Sequence, residues 1–324
     1  MYTDGDDFVD KHMKILVTCP PMLRMIDNFR PLFAQYGAQI TTPNVVQTLS
    51  VEQLKELVPQ HDGWIIGDDP ATRAVFEAGK AGQLKAAVKW GIGVDNVDFA
   101  ACKDLNIPIT NTPNMFGGEV ADIAVGYVIG LARQTFDIDR GVRNGDWPKP
   151  RGISLAGKTV ALVGYGDIGK NTARRLLAAD MRIVAYDPYA PDDANMPSVE
   201  RAQWPERINE ADFIVINCAL TPSSHHMLNA DVLSKCKPGV RIVNVGRGPI
   251  IEEPALETAL DSGQVFSVAL DVFEVEPLPM NSPMRTHPRC VLGSHNASNT
   301  ADAVERTSEI AIEKLMGFLG VAKK

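Results

Sequence analysis

Residues 158–169 read Lys-Thr-Val-Ala-Leu-Val-Gly-Tyr-Gly-Asp-Ile-Gly, and this stretch decides the fold of the chain. Its first half is rich in apolar and β-branched residues, which predicts a buried strand. Its second half matches the pattern G-x-G-x-x-G, and a helix is predicted directly afterwards, over residues 171–179. In such a turn the glycines let the backbone approach a pyrophosphate, and the helix N-terminus supplies amides and a positive dipole end. The stretch therefore predicts a dinucleotide site made by Gly164, Tyr165, Gly166, Asp167, Ile168 and Gly169.

Asp187 follows the next predicted strand, residues 182–185. A carboxylate at this place can accept hydrogen bonds from both hydroxyls of an adenosine ribose. The 2′-phosphate of NADP would meet a like charge there, and residues 188–191 contain no lysine or arginine to offset it. We therefore expect NAD as the cofactor, with Asp187 as its ribose ligand.

Short apolar runs alternate with helical stretches along the whole chain, which is typical of βα units that build parallel sheets. In the first third, the predicted strands are residues 14–18, 63–66, 87–89 and 108–110, with a helix at 51–57. After a proline-containing loop at 147–150, the predicted strands are residues 159–163, 182–185, 213–217, 241–245, 266–270 and 290–292. A helix over residues 302–318 closes the chain. The pattern predicts an α/β protein whose second series forms one doubly wound dinucleotide-binding domain.

Length and composition narrow the classes of function. The chain has 324 residues, about twice a typical domain length, so two domains are expected. A formal net charge of -8, without any basic block, argues against nucleic acid as a partner. Residues 1–12 are acidic rather than signal-like, and no apolar run reaches the roughly 18 residues that span a membrane. A cytoplasmic protein without a membrane partner is expected.

The cysteines and most of the histidines indicate no metal site. The 5 cysteines are scattered without a C-x-x-C pair, so neither a disulfide framework nor a zinc site is expected. His225 and His226 are adjacent rather than one helical turn apart, and no suitable ligand lies nearby in sequence. We interpret His12, His61 and His287 as solvated.

Residues 120–133 are apolar on nearly all sides, which predicts a helix buried against a domain or subunit surface. Gly117 and Gly118 stand directly before it. They are predicted to form a hinge, because glycine tolerates wide changes of φ and ψ.

Three polar segments follow the late strands, at residues 244–250, 271–277 and 293–296. Open α/β sheets bind their ligands at the carboxyl ends of the strands. A site that reduces a 2-keto acid needs a cation for the carboxylate and a proton donor for the carbonyl oxygen. Arg247 suits the first task, because a guanidinium pairs with a carboxylate through two parallel hydrogen bonds. His295 suits the second, because a neighbouring carboxylate can raise the pKa of an imidazole into the working range.

With these segments the chain resembles the D-2-hydroxyacid dehydrogenase family, and within it the D-3-phosphoglycerate dehydrogenase branch. The resemblance runs from about residue 14 to residue 318. Besides the glycine motif and the late segments, Gly-Ile-Gly-Val-Asp-Asn-Val-Asp at 91–98, Asn-Thr-Pro at 111–113, Val-Ala-Asp at 120–122 and Gly-Asp-Trp at 145–147 carry it. It implies a hydride transfer between NAD and a small D-2-hydroxy acid or its 2-keto acid.

The resemblance also implies roles for single residues. Arg247 binds the substrate carboxylate, His295 is the general acid and base, and Glu276 pairs with His295. Glu274 competes for that pairing, and only the family's Glu-Pro step selects Glu276. The further residues that the family implies are Asp271, which orients the nicotinamide, and Gly91, Ile92 and Gly93, whose amides hold the carboxylate.

The family's architecture implies two Rossmann-like domains. A doubly wound NAD-binding domain, residues 119–298, is inserted into a flavodoxin-like substrate domain, residues 1–118 and 299–324. A homodimer is expected through the helix that starts at Val120.

The chain departs from the family pattern at three positions. Asp122 replaces the usual Glu, Phe116 replaces a small or polar residue, and Ser294 replaces the usual Pro. None of these changes removes a catalytic group, but they leave the exact substrate open.

Lys89 bears on the substrate. It stands where the phosphoglycerate branch commonly has a basic residue that faces the substrate's phosphate, so 3-phosphoglycerate and 3-phosphohydroxypyruvate are a candidate pair. The alternative is a lysine exposed at the edge of the sheet.

Two other functions were weighed. Corepressor-like proteins on this fold sense NAD without catalysis and keep the same residues, so only an assay separates them from an enzyme. Formate-type chemistry is disfavoured, because that branch has glutamine where this chain has Glu276.

Overall fold

The computed structural model describes residues 13–191 and 193–323. The expectations for residues 1–12, including His12, lie outside these ranges. The chain divides into two compact units, unit 1 (Met1–Met115 and Ala301–Lys324) and unit 2 (Phe116–Thr300). The sequence places the two boundaries at 118/119 and 298/299, and the division of roles between the domains stays a prediction.

Unit 1 contains a sheet of five parallel strands in the order β2-β1-β3-β4-β5. The strands are β1 (Met13–Val17), β2 (Ala38–Thr41), β3 (Gly63–Ile66), β4 (Ala86–Lys89) and β5 (Ile109–Asn111). The helices are α1 (Pro20–Arg24), α2 (Ile26–Gln35), α3 (Val51–Leu57), α4 (Arg73–Ala81), α5 (Phe99–Asp104) and α11 (Ala301–Phe318). The strand order 2-1-3-4-5 is the flavodoxin-like one.

Unit 2 contains a sheet of seven parallel strands in the order β12-β11-β10-β9-β6-β7-β8. The strands are β6 (Thr159–Val163), β7 (Arg182–Tyr186), β8 (Glu200–Arg201), β9 (Phe213–Ile216), β10 (Val240–Asn244), β11 (Val265–Leu270) and β12 (Cys290–Leu292). The helices are α6 (Gly117–Arg133), α7 (Thr135–Arg143), α8 (Asp167–Leu177), α9 (Ala230–Lys235) and α10 (Glu253–Ser262).

The first strand of unit 2, β6, lies inside its sheet between β9 and β7, as in the dinucleotide-binding strand order, with β12 added at one edge. Strands β6, β9 and β10 are buried at every position, which explains their continuous apolar runs. The predicted α/β class with two Rossmann-like parallel sheets is confirmed. The edge strands β2 and β8 were not predicted, because each is short and only partly buried.

The predicted hinge before α6 stays a prediction, but its two glycines do not lie in a loop. Gly117 and Gly118 form the first turn of α6 itself. A Cβ atom on Gly117 would lie 2.3 Å from Oδ2 of Asp167, the first residue of α8. The glycine at position 117 therefore serves the close packing of these two helices.

Two histidines also differ from the prediction. His61 is buried rather than solvated, and its ring contacts the carbonyl oxygen of Leu57 through Nδ1 at 2.8 Å and Thr41 Oγ1 through Nε2 at 2.7 Å. Burial lowers the pKa of His61. The His287 side chain is also mostly covered, and its Nδ1 accepts the amide hydrogen of Arg289. Among the helices that the structure describes, none is both long and apolar enough to cross a bilayer.

Candidate active site

The glycine loop between β6 and α8 shows why each glycine is required. Gly164 has φ +92°, and a Cβ there would lie 2.6 Å from the backbone nitrogen of Cys218. A Cβ on Gly169 would lie 2.1 Å from the carbonyl oxygen of Gly164. At Gly166, by contrast, a Cβ would meet nothing within 4 Å. The loop is thus packed tightly underneath and open at Gly166, where a pyrophosphate can approach the backbone.

The side chains of the glycine loop point to structural tasks. The ring of Tyr165 is only 1% exposed, and its hydroxyl contacts Sδ of Met196 at 3.8 Å. The carboxylate of Asp167 accepts a hydrogen bond from Asn171 Nδ2 at 3.2 Å and packs against Gly117. Tyr165 and Asp167 can therefore serve a cofactor through their backbone, and their binding role stays a prediction.

Asp187 lies directly after β7 and is held by three amides. Its Oδ2 accepts the amide hydrogen of Tyr165 at 2.8 Å, and its Oδ1 accepts those of Tyr189 at 2.9 Å and Ala190 at 3.1 Å. The carboxylate is thus fixed in position beside the glycine loop, because Tyr165 belongs to that loop.

Arg247 follows β10 in a turn that Asn244 organises. The buried Asn244 side chain accepts the Gly246 amide hydrogen at 3.0 Å and donates to the Arg247 carbonyl oxygen at 2.9 Å. Nη1 of Arg247 donates to the carbonyl oxygen of Gly246 at 2.9 Å. A Cβ on Gly248 would lie 1.8 Å from the carbonyl carbon of Phe273, so this turn packs directly on the segment after β11.

Glu276 and His295 form a hydrogen-bonded pair at the carboxyl edge of the sheet of unit 2. Nδ1 of His295 lies 2.7 Å from Oε2 of Glu276, and both side chains are about a quarter exposed, at 24% and 23%. The other oxygen, Oε1, accepts the amide hydrogen of Phe273 at 3.0 Å. The two residues lie on neighbouring segments, after β11 and β12, that the parallel sheet brings to one edge.

Asp271, the first residue after β11, holds the histidine loop. Its carboxylate accepts the amide hydrogens of Asn296 at 3.2 Å and Ala297 at 2.8 Å, and its carbonyl oxygen accepts that of His295 at 2.6 Å. Burial, aided by the negative Asp271 nearby, raises the pKa of the Tyr127 hydroxyl to about 12. The structure thus gives Asp271 a supporting task, and its predicted contact with the nicotinamide stays a prediction.

The two glutamates after β11 separate in the structure. Oε1 of Glu274 lies 2.6 Å from Nε2 of His226, whereas Glu276 contacts His295. Glu274 also donates its amide hydrogen to Oε1 of Glu253 at 2.6 Å. His226 therefore has a carboxylate partner that is distant in sequence.

In unit 1 the predicted substrate residues lie at the carboxyl end of β4. Lys89 is 3% exposed, and its Nζ contacts Oδ1 of Asp68 at 3.1 Å and the carbonyl oxygen of Trp90 at 2.8 Å. The alternative of an edge-exposed lysine is therefore wrong.

The amide of Gly91 donates to Oγ1 of Thr112 at 2.8 Å. Its predicted use for a substrate carboxylate stays a prediction. The amides of Ile92 and Gly93 donate no such hydrogen bond to any residue in the described ranges.

Comparison with known proteins decides the family. Residues 125–297 match the model for the NAD binding domain of D-isomer specific 2-hydroxyacid dehydrogenases. The chain is 36% identical over 279 residues to a hydroxypyruvate reductase of Thermotoga maritima, which covers 84% of this chain and 90% of that protein. The chain belongs to the D-isomer specific 2-hydroxyacid dehydrogenase family. Its cofactor is NAD.

The chain is also similar to other proteins in sequence and in structure. D-3-phosphoglycerate dehydrogenase 2, chloroplastic, of Arabidopsis thaliana is 36% identical over 275 residues, 84% of this chain but 44% of that protein, so the chain spans less than half of that relative's length. The NAD-dependent formate dehydrogenase of Staphylococcus aureus, solved in complex with NAD, has a TM-score of 0.82 at 27% identity, and the match covers 95% of each chain.

The residues present fit NAD. Gly166 leaves the loop surface open at the start of α8, and Asp187 presents a carboxylate held by amides beside it. When bound, NAD supplies the ring carbon that accepts a hydride.

The sequence did not predict the supporting roles of two side chains at the candidate site, Asn244 and Arg201. Asn244 holds the Arg247 turn, and its position as the last residue of an apolar strand was the available signal. Arg201 contacts the Asp187 turn from β8, and no sequence pattern indicated it.

Proposed function

We propose that this chain is an NAD-dependent dehydrogenase that interconverts a small D-2-hydroxy acid and its 2-keto acid. The observation that carries the proposal is the pair of His295 and Glu276, whose Nδ1 and Oε2 atoms lie 2.7 Å apart at the carboxyl edge of the NAD-binding sheet. An imidazole beside a carboxylate at this edge is the arrangement that general acid-base catalysis requires.

His295 moves the proton. Because Nδ1 faces a carboxylate, it carries a hydrogen, so the proton exchanged with the substrate oxygen is held on Nε2. Glu276 keeps the ring in this orientation and stabilises its protonated form. Asp271 fixes the backbone of the same loop through the amide hydrogen of His295.

Arg247 binds the substrate carboxylate in this proposal. The guanidinium offers a planar fork that matches a carboxylate. Asn244 and Gly248 hold the Arg247 turn in place, since the first bonds the backbone on both sides and the second packs on Phe273.

The test is an assay of NADH oxidation with a panel of 2-keto acids, run with the wild type and with His295→Gln. We expect turnover with at least one acid, and a loss of kcat on the order of 10² to 10⁴ in the variant, with NADH binding retained. NADH binding without turnover on any acid would contradict the enzyme and favour a cofactor-sensing protein. Normal turnover by the variant would contradict the role of His295.

For the substrate, the pairing of Lys89 favours an unphosphorylated acid such as hydroxypyruvate or glyoxylate. Nζ of Lys89 is buried and already contacts the Asp68 carboxylate, so a phosphate would have to compete with that anion. Relatives are named for both classes, as hydroxypyruvate or glyoxylate reductases and as phosphoglycerate dehydrogenases.

Assays with hydroxypyruvate and with 3-phosphohydroxypyruvate distinguish an unphosphorylated from a phosphorylated substrate. They are run on the wild type, Lys89→Met and Asp68→Asn. We expect the wild type to prefer hydroxypyruvate, and Lys89→Met to change KM for both acids alike. Asp68→Asn should improve KM for the phosphorylated acid, because it removes the competing charge. A wild-type preference for the phosphorylated acid that Lys89→Met abolishes would instead establish the sequence-based prediction for Lys89.

A homodimer through α6 belongs to the same proposal. The face of α6 that carries Asp122, Ile123, Gly126, Ile129 and Arg133 is exposed, and a Cβ on Gly126 would meet nothing within 4 Å. Two apolar side chains on this face, Ile123 at 37% and Ile129 at 43%, are unusually exposed for isoleucine.

A further inference from the structure

The turn after β7 is held from two sides. On one side the Asp187 carboxylate accepts the amide hydrogens of Tyr189 and Ala190, and that of Tyr165 from the glycine loop. On the other side Arg201 binds the carbonyl oxygens of the same turn, with Nη2 at 2.7 Å from Asp187 and 3.0 Å from Ala190. One guanidinium nitrogen therefore joins the first and last residues of the turn.

Arg201 reaches this turn from the edge strand β8. Its backbone lies opposite Ala185 in the parallel pairing of β7 and β8, two residues before Asp187. The guanidinium also lies 5.0 Å from the ring centroid of the buried Tyr165, a distance at which a cation is attracted by the ring face. Arg201 thus contacts both the glycine loop and the Asp187 turn.

A second nitrogen of the guanidinium indicates that stability alone does not explain this arginine. Nη1 of Arg201 is buried and has no hydrogen-bond partner in the described ranges. A buried donor without a partner costs free energy, and a hydrophobic side chain on the Tyr165 ring would avoid that cost. Such a side chain could not bond the two carbonyl oxygens of the turn, as Arg201 does.

We propose that Arg201 is a positioning residue for the cofactor, and that it fixes the turn at 187–190 so that Asp187 is presented to the adenosine ribose of NAD. The inference rests on NAD as the cofactor and needs no statement about the substrate. Removing the guanidinium frees both carbonyls, so the turn loses its fixed shape and the ribose site loses affinity.

The experiment is a fluorescence titration of Arg201→Met and Arg201→Lys with NADH and with reduced nicotinamide mononucleotide, which lacks the adenosine half. We expect NADH affinity to fall by roughly tenfold or more in Arg201→Met, the size expected for lost hydrogen bonds from a charged group. Binding of the mononucleotide should not change. Arg201→Lys should recover part of the loss, because an ammonium can still donate to the carbonyls.

Two further variants make the test specific. Arg182→Met removes an exposed arginine of the adjacent strand, which pairs with Glu200 and Glu210, and should leave NADH affinity unchanged. If Arg201 acts through Asp187, then Arg201→Met should add little to the loss caused by Asp187→Ala.

The outcomes are distinguishable from those of the enzyme assay, because binding is measured without turnover. Unchanged NADH affinity in Arg201→Met would overturn the proposal. Equal losses of affinity for NADH and for the mononucleotide in Arg201→Met would also overturn it. So would additive effects of Arg201→Met and Asp187→Ala on NADH affinity. If Arg201→Met does not fold, Arg201→Lys is compared with Arg182→Met in the same titrations. An NADH affinity of Arg201→Lys equal to that of the wild type and of Arg182→Met would then contradict the proposal.

Discussion

Glu276 and Glu274 stand two residues apart, but their side chains contact different histidines. Both are carboxylates on one segment, yet one contacts His295 and the other His226. The segment between them is irregular rather than a strand, so alternation in sequence could not assign their directions. The family's Glu-Pro step selected Glu276, whereas the partner of His226, distant in sequence, could not be foreseen.

Replacing Glu276 with Gln removes the negative charge beside the histidine and so lowers the pKa of its imidazole relative to the wild type. Keto acid reduction needs the protonated imidazole. The descending limb of its pH profile should therefore move to lower pH, by roughly one unit or more. The profile of kcat/KM between pH 5 and pH 9 measures this shift.

Glu274→Gln is the matched control, because it neutralises a carboxylate two residues away that contacts His226 instead. Its profile should stay close to that of the wild type. A larger shift in this control than in Glu276→Gln would show that the wrong glutamate has been assigned to His295.

We predict that Asp187 governs the choice between NAD and NADP. The wild type should prefer NAD by a wide margin in kcat/KM, because a 2′-phosphate would face the fixed carboxylate. Asp187→Ala should lower the ratio of kcat/KM with NAD to kcat/KM with NADP, mainly because kcat/KM with NAD falls. Comparable values for the two cofactors in the wild type would refute this reasoning.

At the scale of elements, buried strands were predictable and edge elements were not. Strands β6 and β9 are continuous apolar runs because both of their faces are covered. Strand β8 is only Glu200–Arg201, and two charged residues carry no periodic signal. The sequence also does not show why α6 begins with Gly117 and Gly118, because the close packing of α6 on α8 at Gly117 depends on the fold.

His61 gives a prediction about the stability of unit 1. Its folded-state pKa is lowered by burial, so the unfolded chain binds the proton more readily. The contribution of His61 is fully present above the unfolded pKa of about 6.5 and is lost as the pH falls towards the folded value. The stability advantage of the wild type over His61→Asn should therefore be larger at pH 7.5 than at pH 5.5, by at most about 1.4 kcal/mol per pH unit.

Urea unfolding at the two pH values measures this difference. His225→Asn is the control, because His225 is exposed and its substitution should change stability equally at both. If the difference in free energy of unfolding between the wild type and His61→Asn grew as the pH fell, it would contradict a lowered pKa of His61 in the folded state.

At the scale of the whole molecule, the proposed dimer can be tested on α6. Ile129→Lys places a charge on the exposed apolar face of this helix, and it should convert a dimer into a monomer in sedimentation or light scattering. Val46→Lys, at a strongly exposed valine of unit 1, is the control. A wild type that sediments as a monomer at micromolar concentration would contradict the dimer.

In the proposed reaction, a hydride passes between NAD and C2 of a D-2-hydroxy acid. This transfer is measured by reducing a 2-keto acid accepted by the enzyme with NADH that carries deuterium at C4, and by analysing the product with NMR and chiral chromatography. We expect one deuterium at C2 when the transferred face of the nicotinamide is labelled, and a product of D configuration. A product of L configuration, or one without deuterium at C2 when NADH labelled on either face is used, would contradict it.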